Sequence, residues 1–217
     1  MKLCMFSPLD ADLVRGWPGR IDGDVVIQLA AQTLQAFFTG GGTAREHATY
    51  PLADIALRPP VLHPPSIRIF GRDGDFAFAN PAAIRGPDDE IPLPAGVDAL
   101  ELELHLATVI GADGAPGGFT FLGEWLAPQL PGAKSRDFAL SLGPTVVTPD
   151  ELDSAGDWAP LVEHVSRNTR LYPGDVVAAG GERLGPFGPG DIAEAGFDPI
   201  GLLRNRLTLP QGQGARS

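Results

Sequence analysis

The chain has 217 residues and a hydrophobic fraction of 43%, enough for a sizeable globular core without disulfides. Its 27 acidic residues outnumber 16 basic ones, and the formal charge of −11 repels a phosphate backbone, which disfavours nucleic acid as a partner. The single cysteine, Cys4, fits a reducing cytoplasm. No apolar run has the length of a signal-peptide core or a membrane span, so no membrane partner is expected.

The first part of the chain, residues 1–58, predicts a small α+β domain. The pattern indicates a strand over Lys2–Phe6, a link at Trp17–Arg20, a strand over Val25–Ile27 and a helix over Leu29–Phe38 that ends at three glycines. The proline-rich stretch that follows is too stiff for a core, and residues 59–65 are predicted to link two domains.

Residues 66–210 predict a larger, mainly β domain, because clusters of Gly and Pro separate short apolar runs. The predicted strands are Ser66–Phe70, Phe76–Asn80, Leu100–Ile110, Gly118–Leu122, Phe138–Leu142, Thr145–Thr148, Asp175–Ala178 and Asp191–Glu194. A short helix is predicted over Leu161–Val165, turns at the later glycine pairs, and disorder in the polar tail, residues 211–217.

An alternation of leucines with ligand-type residues marks the segment Leu100–Leu106. Its period of two places Glu101, Glu103 and His105 on one face of a strand. Carboxylates at positions i and i+2 lie roughly 7 Å apart along a strand, close enough to share a divalent cation. A half-exposed strand with a solvated acidic face is the alternative explanation.

Several short motifs occur along the chain in a fixed order. They are Met1–Phe6 with Gly23-Asp24-Val25, Arg85-Gly86-Pro87-Asp88, Glu101-Leu102-Glu103-Leu104, Gly118-Phe119-Thr120 to Glu124-Trp125, Lys134-Ser135 to Gly143-Pro144, and Leu171-Tyr172-Pro173-Gly174-Asp175-Val176-Val177. In this order they resemble the fumarylacetoacetate hydrolase (FAH) family. The resemblance implies an α+β, mainly β fold, an FAH-like mixed β-sandwich roll with a small N-terminal domain.

The same resemblance implies a metal site and a chemistry. Glu101 and Glu103 match the family's metal-binding Glu-x-Glu, and Glu124 stands where a third acidic ligand, an aspartate, is usual. An all-oxygen site favours Mg²⁺ or Mn²⁺, with Ca²⁺ as an alternative. The implied activity is that of a metal-dependent enzyme that processes a small 2-oxo or 1,3-dicarbonyl acid through an enolate, and the family's habit implies a homodimer.

Two further side chains are candidates for catalysis. Lys134 matches a family lysine and is predicted to lie near the developing negative charge, unless it is a surface residue. His105 is an extra ligand, a substitute base or a packed neighbour of the site. The remaining histidines are predicted to be surface residues: His47, His63 and His164.

Some family features are missing from the chain. The loop of type Gly-x-Asn-Tyr-x-x-His-x-x-Glu, whose histidine and glutamate act on water, is lost, because Ile69–Gly71 runs almost directly into Phe76. Trp125–Gln129 replaces a segment with a substrate-orienting arginine, and Ala179–Gly181 replaces a threonine-bearing turn. The missing loop favours decarboxylation, tautomerisation or a lyase step over C–C bond hydrolysis. A degenerate, non-catalytic binding or structural subunit is the competing hypothesis.

Overall fold

The computed structural model describes residues 1–11, 13–152 and 155–210, so the tail predicted to be disordered lies outside the described residues. The strands are β1 (Lys2–Pro8), β2 (Trp17–Asp22), β3 (Val25–Leu29), β4 (Glu46–Pro51), β5 (Ile55–Arg58), β6 (Ile67–Phe70), β7 (Phe76–Phe78), β8 (Ile84–Arg85), β9 (Glu90–Pro92), β10 (Leu100–Ile110), β11 (Pro116–Leu126), β12 (Leu140–Val147), β13 (Val176–Phe187), β14 (Ile192–Phe197) and β15 (Gly201–Thr208). The helices are α1 (Leu34–Thr39) and α2 (Ala159–Ser166). The predicted α+β, mainly β fold class is confirmed.

Twelve strands form one large mixed sheet. Ten of them follow the order β4-β3-β2-β1-β12-β11-β10-β13-β6-β7, while β5 pairs with β1 and β8 with β12. A second sheet has the order β14-β15-β9. The long strands β10 and β11 run antiparallel near the middle of the large sheet, from Glu101 opposite Leu126 to Ile110 opposite Pro116.

The large sheet joins the N-terminal segment to the rest of the chain. Strand β1 pairs with β12, with Leu3 opposite Val146. One buried cluster contains Leu3 and Leu34 together with Leu122 and Leu140. Apolar side chains from residues 1–58 and 66–210 therefore share a core, and the division into domains at residues 59–65 stays a prediction.

Several local predictions differ from the structure. The predicted link at Trp17–Arg20 is wrong, because this segment is part of β2, which pairs with both β1 and β3. Helix α1 begins later than predicted, where Thr33 Oγ1 accepts a hydrogen bond from the Ala36 N–H at 3.0 Å and caps the first turn. The two strands predicted over 138–148 are one continuous strand, β12.

Strand β13 is longer than predicted and carries a β-bulge. Its pairing with β10 places Leu104 opposite Glu182 but Leu106 opposite Ala179, so Gly180 and Gly181 together face the single residue His105. Gly180 has a φ of +73°, the left-handed conformation that such a bulge requires and that glycine adopts without strain. The turn predicted at these glycines is thus a bulge within a strand.

Candidate metal centre

Three ligand-type side chains converge where β10 and β11 pair. Glu103 and His105 lie on β10, and Glu124 on β11 lies directly opposite Glu103. One ligand atom from each of the three residues lies within 4.8 Å of those of the other two. Like charges directly opposite each other on antiparallel strands repel, so the pair of carboxylates needs a neighbouring positive charge.

The imidazole of His105 is buried without a partner. The residue is 2% exposed, and neither ring nitrogen has a hydrogen-bond partner among the described residues. Burial lowers the pKa of His105, against the opposing effect of Glu103 and Glu124. Burial thus favours neutral imidazole, which is the form that binds a metal ion.

The buried carboxylate of Glu124 is paired with the guanidinium of Arg136. Nε and Nη2 of Arg136 donate to Oε1 and Oε2 of Glu124 at 2.7 and 2.5 Å, and the hydrogen bonding raises the pKa of Arg136. Arg136 follows a short 3₁₀ turn, Gly132–Ser135, and its side chain is 47% exposed, against 2% for Glu124. The arginine therefore contacts Glu124 from the solvent side of the site.

A second arginine contacts the two carboxylates of β10. Arg183 lies opposite Glu103 on β13, and its guanidinium donates to Glu101 at 3.2 Å and to Glu103 at 3.3 Å. The side chain of Glu101 is 30% exposed. Glu101 lies outside the cluster that Glu103, His105 and Glu124 form.

The bulge in β13 makes room for the site. A Cβ atom on Gly181 would lie 2.5 Å from Oε1 of Glu103 and 2.6 Å from Cε1 of His105. Any side chain there would therefore displace a candidate ligand. The absence of a Cβ is what allows the two β10 side chains to lie against the backbone of β13.

Two cavities open onto the cluster. The first, of about 280 Å³, is lined by Glu103, His105 and Arg136 and by the β6–β7 hairpin, in which Phe70 lies opposite Phe76. The second, of about 240 Å³, is lined by Glu101, Glu103, Arg136 and Arg183, among others. The tight hairpin occupies the place where the resemblance implied a loop, and the volumes suit a small molecule.

The structure brings together only part of the predicted site. Glu103, His105 and Glu124 converge, whereas Glu101 pairs with Arg183. The side chain of Lys134 is 75% exposed, and its Nζ lies 2.8 Å from Asp137. The first cavity is not lined by Lys134, so its predicted catalytic role stays a prediction that this geometry does not support.

Three residues of the site were not predicted from the sequence: Arg136, Arg183 and Gly181. Arg136 lies two residues after the motif lysine, and an arginine in such a polar segment gives no signal of a site. Arg183 lies far along the chain and reaches the site only through the pairing of β13 with β10. The signal for Gly181 was the glycine pair itself. The other histidines lie apart from the cluster; His47 and His63 are exposed, and His164 contacts Phe70, Phe76 and Asp75.

The fold and site can be compared with known proteins. No family model matches the chain. A 2,4-didehydro-3-deoxy-L-rhamnonate hydrolase of Sphingomonas sp. (strain SKA58) is 24% identical over 58% of this chain and 62% of that protein. The crystal structure of a 5-carboxymethyl-2-hydroxymuconate delta-isomerase from Mycobacterium smegmatis superposes with a TM-score of 0.78 and 24% identity, covering 96% of this chain and 100% of that one. The chain therefore has the fold of this isomerase over nearly its whole length.

A second structural neighbour has ligands bound. The maleylpyruvate hydrolase of Sphingobium sp. SYK-6, crystallised with manganese(II) and pyruvate, superposes with a TM-score of 0.78 and 22% identity over 97% of this chain and 100% of its own. Hydrolases and isomerases are among the relatives and structural neighbours of this chain. The chain spans under two thirds of the length of the Sphingomonas hydrolase.

Among the described residues, no helix is long and apolar enough to cross a membrane.

Proposed function

We propose that the chain is a metal-dependent enzyme that acts on a small 2-oxo or 1,3-dicarbonyl acid through an enolate. The observation that carries this proposal is the buried imidazole of His105, which lies beside two carboxylates and whose nitrogens have no hydrogen-bond partner among the described residues. An unpaired buried polar group costs about 1–3 kcal/mol, and a bound cation would remove that cost at one nitrogen. The donor set of two carboxylates and one imidazole fits a divalent metal.

We propose that Glu103, His105 and Glu124 bind the metal ion directly and that Glu101 does not. Carboxylate oxygens suit Mg²⁺ and Mn²⁺, and the imidazole nitrogen favours Mn²⁺ of the two. The Mn(II) ion of the Sphingobium hydrolase supports this choice. When bound, the cation supplies Lewis-acid stabilisation of a negatively charged oxygen, worth several kcal/mol.

The residues around the site define the substrate and the reaction. Glu103 and Glu124 supply carboxylates and His105 an imidazole, and the β6–β7 hairpin places Phe70 and Phe76 along one wall of the cavity. The β6–β7 connection, residues 71–75, contains neither the histidine nor the glutamate of the family's water-activating loop. We therefore propose decarboxylation or keto–enol exchange of a small 2-oxo acid ahead of C–C bond hydrolysis.

A side-by-side assay tests this proposal. With Mn²⁺ present, turnover of oxaloacetate should exceed hydrolysis of an acylpyruvate, and Glu124→Gln should abolish both. Glu194→Gln, on β14 and exposed, makes the same change of charge in the second sheet and should leave turnover unchanged. Equal rates for Glu124→Gln and the unmodified enzyme would contradict the proposal.

A non-catalytic binding or structural subunit is the second candidate function. The observation in its favour is that Arg136 and Arg183 already neutralise Glu124 and Glu103. In that case no divalent cation binds, and the arginines are permanent partners of the carboxylates. The absence of Mn²⁺ binding together with the absence of turnover would establish this alternative.

We also propose a cytoplasmic homodimer. The apolar runs Phe138–Leu142 and Val176–Ala179 lie mostly within the core, so they do not form the dimer surface. Support comes instead from Ile192, Phe197 and Leu202, which are 43–52% exposed on the paired strands β14 and β15. Light scattering at micromolar concentration should give twice the mass of 22.8 kDa, and a monomer mass would contradict the dimer.

The proposed cytoplasmic location is supported by the thiol of Cys4, which is free and buried and fits a reducing compartment.

A further inference from the structure

The guanidinium of Arg136 supplies the positive charge beside the buried carboxylate of Glu124. It contacts both carboxylate oxygens of Glu124 in a bidentate pair, at 2.7 and 2.5 Å. The carboxylate is almost fully buried, and the arginine side chain is about half exposed. Both carboxylate oxygens of Glu124 thus accept hydrogen bonds from the guanidinium, and the half-exposed arginine side chain has room to move away.

This pair competes with any cation held by Glu103, His105 and Glu124. A ligand oxygen of Glu124 that binds a divalent ion has to weaken its contact with the guanidinium. The ion and the guanidinium would also repel each other across a few ångströms, where effective dielectric constants are well below that of water. Binding of the ion and the Glu124–Arg136 pair therefore oppose each other.

A released guanidinium would still face the cavities. Arg136 lines both of them, as does Glu103, so the two side chains form the shared wall. The nearest alternative carboxylate on its own segment, Asp137, is paired with Lys134. The planar guanidinium has five N–H donors and can form two parallel hydrogen bonds with a carboxylate, which is the anionic group of a 2-oxo acid.

We propose that Arg136 is an internal counter-ion that a divalent metal displaces from Glu124, and that the displaced guanidinium then binds the carboxylate of the substrate. This inference rests on the proposed function and adds a residue that determines substrate binding. It makes the binding of metal and substrate positively coupled. Because coupling is reciprocal, each ligand raises the affinity for the other by the same factor.

Calorimetry with Mn²⁺ and pyruvate, on the full chain at pH 8, tests the inference. Arg136→Gln should bind Mn²⁺ about tenfold more tightly than the unmodified chain, the usual scale of such coupling. The Mn²⁺-loaded variant should bind pyruvate about tenfold more weakly. Arg136→Lys keeps the charge without the bidentate pair and should fall between the two. Arg204→Gln, which removes a half-exposed arginine from a surface pair with Asp88, should match the unmodified chain.

The outcomes separate this inference from the proposed function. Mn²⁺ binding by the unmodified chain with equal or weaker affinity in Arg136→Gln would overturn the displacement and leave the metal site intact. Pyruvate affinity that is unchanged in the Mn²⁺-loaded variant would overturn the substrate contact. Failure of every variant to bind Mn²⁺ would overturn both the inference and the proposed metal site.

Discussion

At the scale of single residues, the buried imidazole of His105 links metal binding to stability. Its two nitrogens lack partners in the described part of the chain, and the neighbouring Glu103 and Glu124 face each other across two strands. A metal ion that binds only the folded chain adds about 2.7 kcal/mol at a concentration of a hundred times its dissociation constant.

This stabilisation predicts a thermal shift. At that concentration Mn²⁺ should raise the melting temperature by about 5–10 °C, because 1 kcal/mol shifts a chain of this size by about 2–4 °C. Circular dichroism during heating measures the shift. In His105→Ala the shift should shrink to about a degree or less, and a full shift in that variant would show that the ion binds elsewhere.

The thiol of Cys4 gives a second prediction, one of pH dependence. Burial raises its pKa from 9.0 to about 12, with Lys2 acting weakly in the opposite direction. Between these two values the unfolded chain loses the proton and the folded chain keeps it, so stability falls as pH rises above about 9. Urea unfolding should show this fall between pH 8 and pH 10.5, and Cys4→Ala should show less of it. Parallel pH profiles for the two proteins would contradict the prediction.

At the scale of secondary structure, the bulge in β13 determines whether the site can form. Gly181 lies against Glu103 and His105, and a methyl group there would overlap both. Gly181→Ala should therefore weaken Mn²⁺ binding on the order of tenfold or more, as other changes that displace metal ligands do. Gly188→Ala is the matched control, because a Cβ there meets nothing closer than 3.8 Å. Equal affinities for the two variants would show that the bulge has no role in the site.

The alternation in β10 was sufficient to predict the strand and the face that carries the candidate ligands. It was not sufficient to select the ligands, since Glu101, Glu103 and His105 share that face. The selection depends on the register with β11, which places Glu124 opposite Glu103, and on the bulge opposite His105. Register arises from contacts between distant segments, so a local pattern does not contain it.

At the scale of the whole molecule, the order of short motifs along the sequence predicted the fold class, which the structure confirms. The pattern did not predict six of the strands: β2, β4, β5, β8, β9 and β15. Pro18 and Gly19 interrupt β2, and the last predicted strand ended before β15. The pattern also did not predict the long-range pairing of β1 with β12, which places the N-terminal segment in the same sheet as the site strands. Such pairings depend on the packing of the complete core, where Leu3 and Leu34 meet Leu122 and Leu140.

In the proposed metal site, Glu103, His105 and Glu124 hold one divalent cation and Glu101 does not. Titration calorimetry with Mn²⁺ on Glu103→Gln and Glu101→Gln distinguishes the two glutamates, because the two variants make the same change two residues apart on one strand face. We expect Glu103→Gln to lose affinity on the order of tenfold to a hundredfold and Glu101→Gln to stay within about threefold of the unmodified chain. Loss of binding in Glu101→Gln with retention in Glu103→Gln would contradict the account.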